Sequence, residues 1–260
     1  MTKLIVVQGE PIATVVFEPK VHRGDVVLVH GFTGSKEDFS ECGPMIAEHG
    51  YRVLTLDNRG QHESPHSKRE DAYTIKSLAR DAIDMAQLLG MTNPHLLGHS
   101  FGGLVAQRAV LMAPNYWKSL TLMCTGPAGI GFREEMLSHE VLKSVPMEKI
   151  WDDYMDANDL GKPTYEMKKR RWAMSDPRSV ATHIDHLMDE PSIVKDVHET
   201  GISAHVVYGE NDDAWPLEMQ DQMAQDLSAP RTIIKGAGHC PNEDQPEETV
   251  KVLTNFWSSL

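Results

Sequence analysis

Apolar runs of four to six residues alternate with helical spacing along most of this chain. Leu4–Val7 and Ile12–Phe17, parted by Gln8-Gly9-Glu10-Pro11, have the pattern of an antiparallel entry hairpin. Asp25–Val29 carries no polar alternation, as a strand buried on both faces should. Further strands are expected at Arg52–Leu56, His95–Leu97, Ser119–Met123, Ala204–Tyr208 and Arg231–Ile234. Between them Ile75, Leu78, Ala79, Ala82, Met85, Ala86 and Leu89 recur at helical intervals, with Thr74 as N-cap and Gly90 as the stop. Leu104-Val105-Ala106 through Leu111 reads as a buried helix. Strand and helix in alternation predict an α/β fold, with a mostly parallel central sheet and helices on both faces.

The alternation breaks after Thr125-Gly126-Pro127 and resumes near Gly201. The interval is helix-like and irregular, punctuated by Pro146, Pro163, Pro177 and Pro191. The expected organisation is therefore a core domain over 1–127 and 201–260, carrying an inserted helical lid over 128–200.

Composition narrows the field. The chain has 260 residues, 40% of them hydrophobic, enough for one large α/β domain with an insertion. No apolar run approaches the ~18 residues that span a bilayer, and Leu4–Val7 is too short for a secretory signal. Cys42, Cys124 and Cys240 lie far apart without C-x-x-C spacing, which fits a reducing cytoplasm and suggests neither a disulfide framework nor a zinc site. A net charge of −13 argues against nucleic acid or an anionic membrane as partner. The run Lys168-Lys169-Arg170-Arg171 is the local exception, read as a solvated helix face.

Chemistry concentrates at Gly98-His99-Ser100-Phe101-Gly102-Gly103, a G-x-S-x-G between an apolar strand and an apolar helix. There the pattern describes a strained turn that lifts a serine hydroxyl clear of its neighbours, at a helix N-terminus that favours negative charge. A serine hydroxyl is a weak nucleophile until a base held by a third group takes its proton. His239, in Gly236-Ala237-Gly238-His239, is the base candidate. The loop Gly209-Glu210-Asn211-Asp212-Asp213 offers the acid, with Asp212 preferred and Asp213 as competitor. Chain order Ser…Asp…His suits this assignment. The Phe101 amide and the Phe32 amide, in His30-Gly31-Phe32-Thr33-Gly34, are the candidate donors to an oxyanion; His30 is expected to brace its loop.

With these pieces in place, nearly the whole chain resembles the α/β-hydrolase-fold serine hydrolases. His30-Gly31-Phe32, Asp57-Asn58-Arg59-Gly60, the elbow at Ser100, the Asp212 loop and Gly238-His239 carry the resemblance. It departs at Gln61-His62-Glu63-Ser64, where the family often has a second glycine; bulky His62 is read as lying on the surface. Aspartate at position 100 would have suggested haloalkane or epoxide chemistry, whereas serine points to acyl transfer. The resemblance implies no metal and no organic cofactor. His183 and His186 are spaced to share a metal, but no third ligand is evident.

The insertion is rich in methionine and aromatic residues, which by default pack its helices. Phe132 and Trp172, with Trp215, His30 and Gly31 of the core, are the candidate substrate-binding residues, around an apolar, medium-sized acyl or aromatic pocket. The expected activity is hydrolysis of a small-molecule carboxylic ester by a monomer or homodimer. Thioesterase, lactonase and carbon–carbon bond hydrolase share the same machinery, and a non-catalytic small-ligand binder is the contrasting class.

Overall fold

The structure, a computed structural model, describes residues 1–131, 137–155 and 164–260. Among them, eight strands form one sheet: β1 (Lys3–Val7), β2 (Glu10–Phe17), β3 (Gly24–Val29), β4 (Tyr51–Leu56), β5 (His95–His99), β6 (Ser119–Met123), β7 (Ser203–Gly209) and β8 (Arg231–Ile234). Their order is β1-β2-β4-β3-β5-β6-β7-β8. β1 and β2 form the antiparallel hairpin, β2 runs antiparallel to β4, and β3 to β8 are parallel. Every strand expected from the apolar runs is present.

Right-handed crossovers then decide which face each helix occupies. β3 reaches β4 through α1 (Cys42–Glu48), moving one way across the sheet. β4 reaches β5 through α2 (Ile75–Leu88), and β5 reaches β6 through α3 (Phe101–Met112), moving the other way. α2 and α3 therefore pack together on one face, and α1 packs with the C-terminal α10 (Pro246–Ser258) on the opposite face. α2 starts as its spacing suggests: the Thr74 hydroxyl accepts from the Ser77 amide at 3.3 Å. The direction reverses between β3 and β5, so the crevice of an open α/β sheet lies above their carboxyl ends. The His30 loop and Ser100 leave from those two ends.

Between β6 and β7 run α4 (His139–Ser144), α5 (Met147–Ile150), a π-helical turn (Trp151–Met155), α6 (Tyr165–Ala173), α7 (Pro177–Asp189) and α8 (Val194–Glu199). Leu137, Leu142, Met147, Ile150, Trp151, Trp172, Val180 and Ile184 make a second apolar cluster within this insert. α8 differs from the rest. Val194 and Val197 join the main core, and the helix packs on α3 like an ordinary crossover helix.

Polar bonds at several places tie the insert to the core, two of them on its inner helices. At the start of α7, the Tyr73 hydroxyl donates to Asp176 at 2.6 Å, the Asp176 amide to the Gly60 carbonyl at 2.7 Å, and the Ser179 hydroxyl to the Arg59 carbonyl at 3.3 Å. On α6, Arg171 is buried against Asp38 and donates to the Ser35 hydroxyl at 3.2 Å. Arg171 thus departs from the solvated face expected of the basic run, because its partners lie far away in sequence.

Candidate active site

β5 ends at His99, and the chain turns sharply through Ser100, whose φ of 54° and ψ of −124° lie in a region that side chains rarely adopt. Two close approaches make the turn possible. A Cβ on Gly98 would overlap the Gly102 carbonyl, and one on Gly102 would overlap the Val29 carbonyl of β3. The Ser100 amide is anchored to the Met123 carbonyl at 2.9 Å, and α3 begins at the next residue. The serine hydroxyl therefore stands over the switch point, at the N-terminus of a buried helix.

The loops after β7 and β8 are held together by the Glu210 amide on the Ile234 carbonyl at 3.0 Å and the Asn211 amide on the Ala237 carbonyl at 2.9 Å. This pairing sets Asp212 beneath His239. His239 Nδ1 lies 2.8 Å from Asp212 Oδ1, and His239 Nε2 lies 3.0 Å from Ser100 Oγ. Asp212 is 8% exposed, and it also accepts from Gln220 Nε2 at 2.9 Å and from the Ala214 amide at 3.1 Å. Burial alone would raise its pKa, but the bond and charge of His239, with Gln220 and the Ala214 amide, hold it below the ordinary carboxylate value. It stays ionised. Asp213 is exposed, so the choice between the two acids falls to Asp212.

Gln220 escaped sequence reasoning although it left a signal. It occupies an apolar position of α9 (Leu217–Asp226), in register with Leu217, Met223, Ala224 and Leu227, where a buried amide requires a partner.

On the other side of the serine, a Cβ on Gly31 would come within 3.0 Å of Ser100 Cβ, which places the His30–Gly34 loop against the hydroxyl. His30 is fully buried. Its Nδ1 donates to the Gly31 carbonyl at 2.8 Å, and its Nε2 accepts from the Asn58 amide at 2.9 Å. Both nitrogens brace backbone, leaving none to bind substrate. Phe32 is half-buried and touches both apolar clusters.

The other candidate binding residues are placed less directly. Trp215 is 1% exposed and packs over Gly126; Trp172 is 1% exposed, with Nε1 donating to the Met147 carbonyl at 2.7 Å inside the insert. Both serve packing. Phe132 lies outside the described residues. His62 corrects the surface reading: at 7% exposure it is buried with Nε2 3.5 Å from Glu37, in a left-handed backbone conformation (φ 46°).

Two groupings among the described residues bring three potential metal ligands together: His99, Cys124 and His239, and Glu37, His62 and Glu63. The first contains the imidazole already committed to Ser100 and Asp212. In the second, Lys36 already supplies a buried positive charge, 2.7 Å from Glu37 and 2.9 Å from Glu63. His183 and His186 do not converge on a common ligand position. His186 is bound to Glu190 at 2.6 Å and to the Ile75 amide at 3.3 Å, while His183 stacks on Phe101.

The model of the alpha/beta hydrolase family matches residues 26–252. Among named proteins, the sn-1-specific diacylglycerol lipase ABHD11 of Mus musculus is 25% identical over 251 residues, covering 89% of this chain and 80% of that protein. Epoxide hydrolase B of Mycobacterium tuberculosis is 32% identical over 124 residues, 47% of this chain and 33% of its own length. The Xenopus laevis form of the lipase is matched over only 32% of its length. Among solved structures, an esterase from Exiguobacterium antarcticum superimposes with a TM-score of 0.83 at 20% identity, covering 99% of this chain and 100% of that one. The enol-lactonase from Burkholderia xenovorans gives 0.81 at 18% identity, over 98% and 100%.

Proposed function

Because this chain belongs to the alpha/beta hydrolase family, we propose that it is a serine hydrolase of carboxylic esters with Ser100 as nucleophile. The observation that carries the reading is the continuous hydrogen-bond relay from Ser100 through His239 to an ionised, buried Asp212, with separations of 3.0 and 2.8 Å. Named relatives and structural neighbours that include a lipase and an esterase support an ester as the class of substrate.

On this reading each group has a task. Ser100 Oγ attacks the carbonyl carbon while its proton passes to His239 Nε2. Asp212 accepts the Nδ1 proton, fixes the tautomer and favours the imidazolium that forms. The carbonyl oxygen gains the negative charge and is met by the backbone amides of Phe101 and Phe32, aided by the N-terminus of α3. His239 then returns its proton to the departing alcohol, which leaves an acyl group on Ser100. Water enters, gives its proton to His239 and attacks the acyl carbon. Collapse returns the proton to Ser100 and releases the acid. The insert covers this site as a lid, and its shape selects the substrate.

The test is labelling by a fluorophosphonate together with turnover of p-nitrophenyl esters. Wild-type protein should be labelled and should cleave the esters, and Ser100→Ala should do neither. Wild-type protein that stays unlabelled and inert would place it with the small-ligand binders instead.

A further inference from the structure

His183 sits on the apolar face of α7, in helical register with Val180, Ile184 and Leu187. It is fully buried, and neither ring nitrogen has a hydrogen-bond partner among the described residues. An apolar side chain would fill this place without the free-energy cost of two desolvated polar atoms. One turn later His186, on the same helix, has both nitrogens engaged. Among the described residues, one imidazole of this helix is thus satisfied and its neighbour is not.

The location of the open ring is informative. It stacks on the ring of Phe101, the residue next to Ser100, with centroids 4.4 Å apart and planes 29° from parallel. The insert therefore brings this imidazole against the side chain of the residue that follows Ser100. Burial, then the nearby His186 and His30, push its pKa well below the ordinary histidine value, so the ring is neutral. A neutral imidazole offers one N–H and one lone pair. Hydroxyl and keto oxygens match that pair of groups. A carboxylate or ammonium would be buried there without a counter-charge.

We propose that His183 reads the substrate: its imidazole hydrogen-bonds a neutral oxygen, hydroxyl or keto, carried on the acyl part near the scissile carbonyl. The enzyme would then select oxygenated acyl esters over plain alkyl ones. This rests on the ester-hydrolase reading above. The energetic logic is that of a buried polar group satisfied only when the right substrate arrives, which rejects analogues lacking the matching oxygen.

The experiment compares kcat/KM on p-nitrophenyl butanoate and p-nitrophenyl 3-hydroxybutanoate for wild type, His183→Phe and His183→Asn, with thermal melts of all three. Wild type should favour the hydroxy ester about tenfold or more. His183→Phe should reduce that ratio to about one while raising the melting temperature by a few degrees, since it removes unsatisfied polar atoms. His183→Asn, which keeps a donor and an acceptor, should retain part of the ratio. A His183→Phe protein that melts lower and loses both esters in proportion would make the ring a structural element and overturn the proposal. Equal wild-type efficiency on the two esters overturns it as well and leaves the ester reading standing; wild type that cleaves neither overturns both.

Discussion

Lowering the pH from 7.0 to 5.5 should destabilise this protein through histidines that the fold keeps neutral. His95, His99 and His205 are at most 4% exposed, and burial is the largest cause pushing each pKa down from 6.5 to about 4. The bonding explains why. His99 Nε2 donates to the His239 carbonyl at 2.7 Å, so a second proton must go to a buried Nδ1 with no partner among the described residues; Nδ1 of His205 is buried and without a partner among them too. A depressed native pKa means that the unfolded chain binds more protons, so stability is full above pH 6.5 and declines as the pH falls toward 4. At pH 5.5 an unfolded histidine is about nine-tenths protonated and these native ones are almost neutral. Each therefore withdraws about 1 kcal/mol between pH 7.0 and 5.5, and the three together about 3–4 kcal/mol. His30 and His183, shifted in the same direction, deepen the loss. Urea unfolding followed by tryptophan fluorescence should show the midpoint falling by about 1–2 M across this range. His205→Phe should recover about 1 kcal/mol of the decline. A midpoint that stays put or climbs on acidification would refute the reasoning.

Three further outcomes concern Asp212, the turn at Ser100 and one buried ion pair. On the proposed mechanism, Asp212→Asn should lower kcat on p-nitrophenyl esters by about 10³–10⁴-fold with little change in KM, because it removes the anion assigned to fix and charge the base; steady-state kinetics would show otherwise if the exposed Asp213 held that role. Gly98→Ala should destabilise the fold by about 3 kcal/mol or more, since its new Cβ meets the backbone carbonyl of Gly102 and neither chain can yield; denaturant titration measures this. Arg59, 1% exposed, clamps the buried Asp81 through bonds of 2.6 and 2.8 Å. Arg59→Met alone should cost about 3–5 kcal/mol by stranding that carboxylate, and adding Asp81→Leu should restore most of it in the same titration.

What could be read ahead of the structure was what local sequence encodes. Val26–Val29 are at most 1% exposed on both faces of the sheet, and a strand in that position has no polar residue to confuse its pattern. Ser100, His239 and Asp212 stood out because glycine-rich turns and strand ends surround them, and they do meet in space. Burial of charge was illegible. Arg171 and Asp38 are 133 residues apart, Lys36 and Asp57 are 21 apart, and no local period marks either pair. His62 looked exposed for the same reason, since its partner Glu37 arrives from a different loop. The tryptophans were ambiguous by nature. Trp172 and Trp215 suit a pocket wall as well as a core, and only their packing separates the two.

The tightness of the elbow also bears on how this enzyme can diversify. Gly98 faces the Gly102 carbonyl, Gly102 faces Val29, and Gly103 faces Thr125, so three positions around Ser100 admit not even one added methyl group. Mutation there removes the fold before it alters selectivity. On the proposed reading, adaptation to a new substrate falls to the helices between β6 and β7, whose side chains can change size while the glycine-packed turn stays fixed.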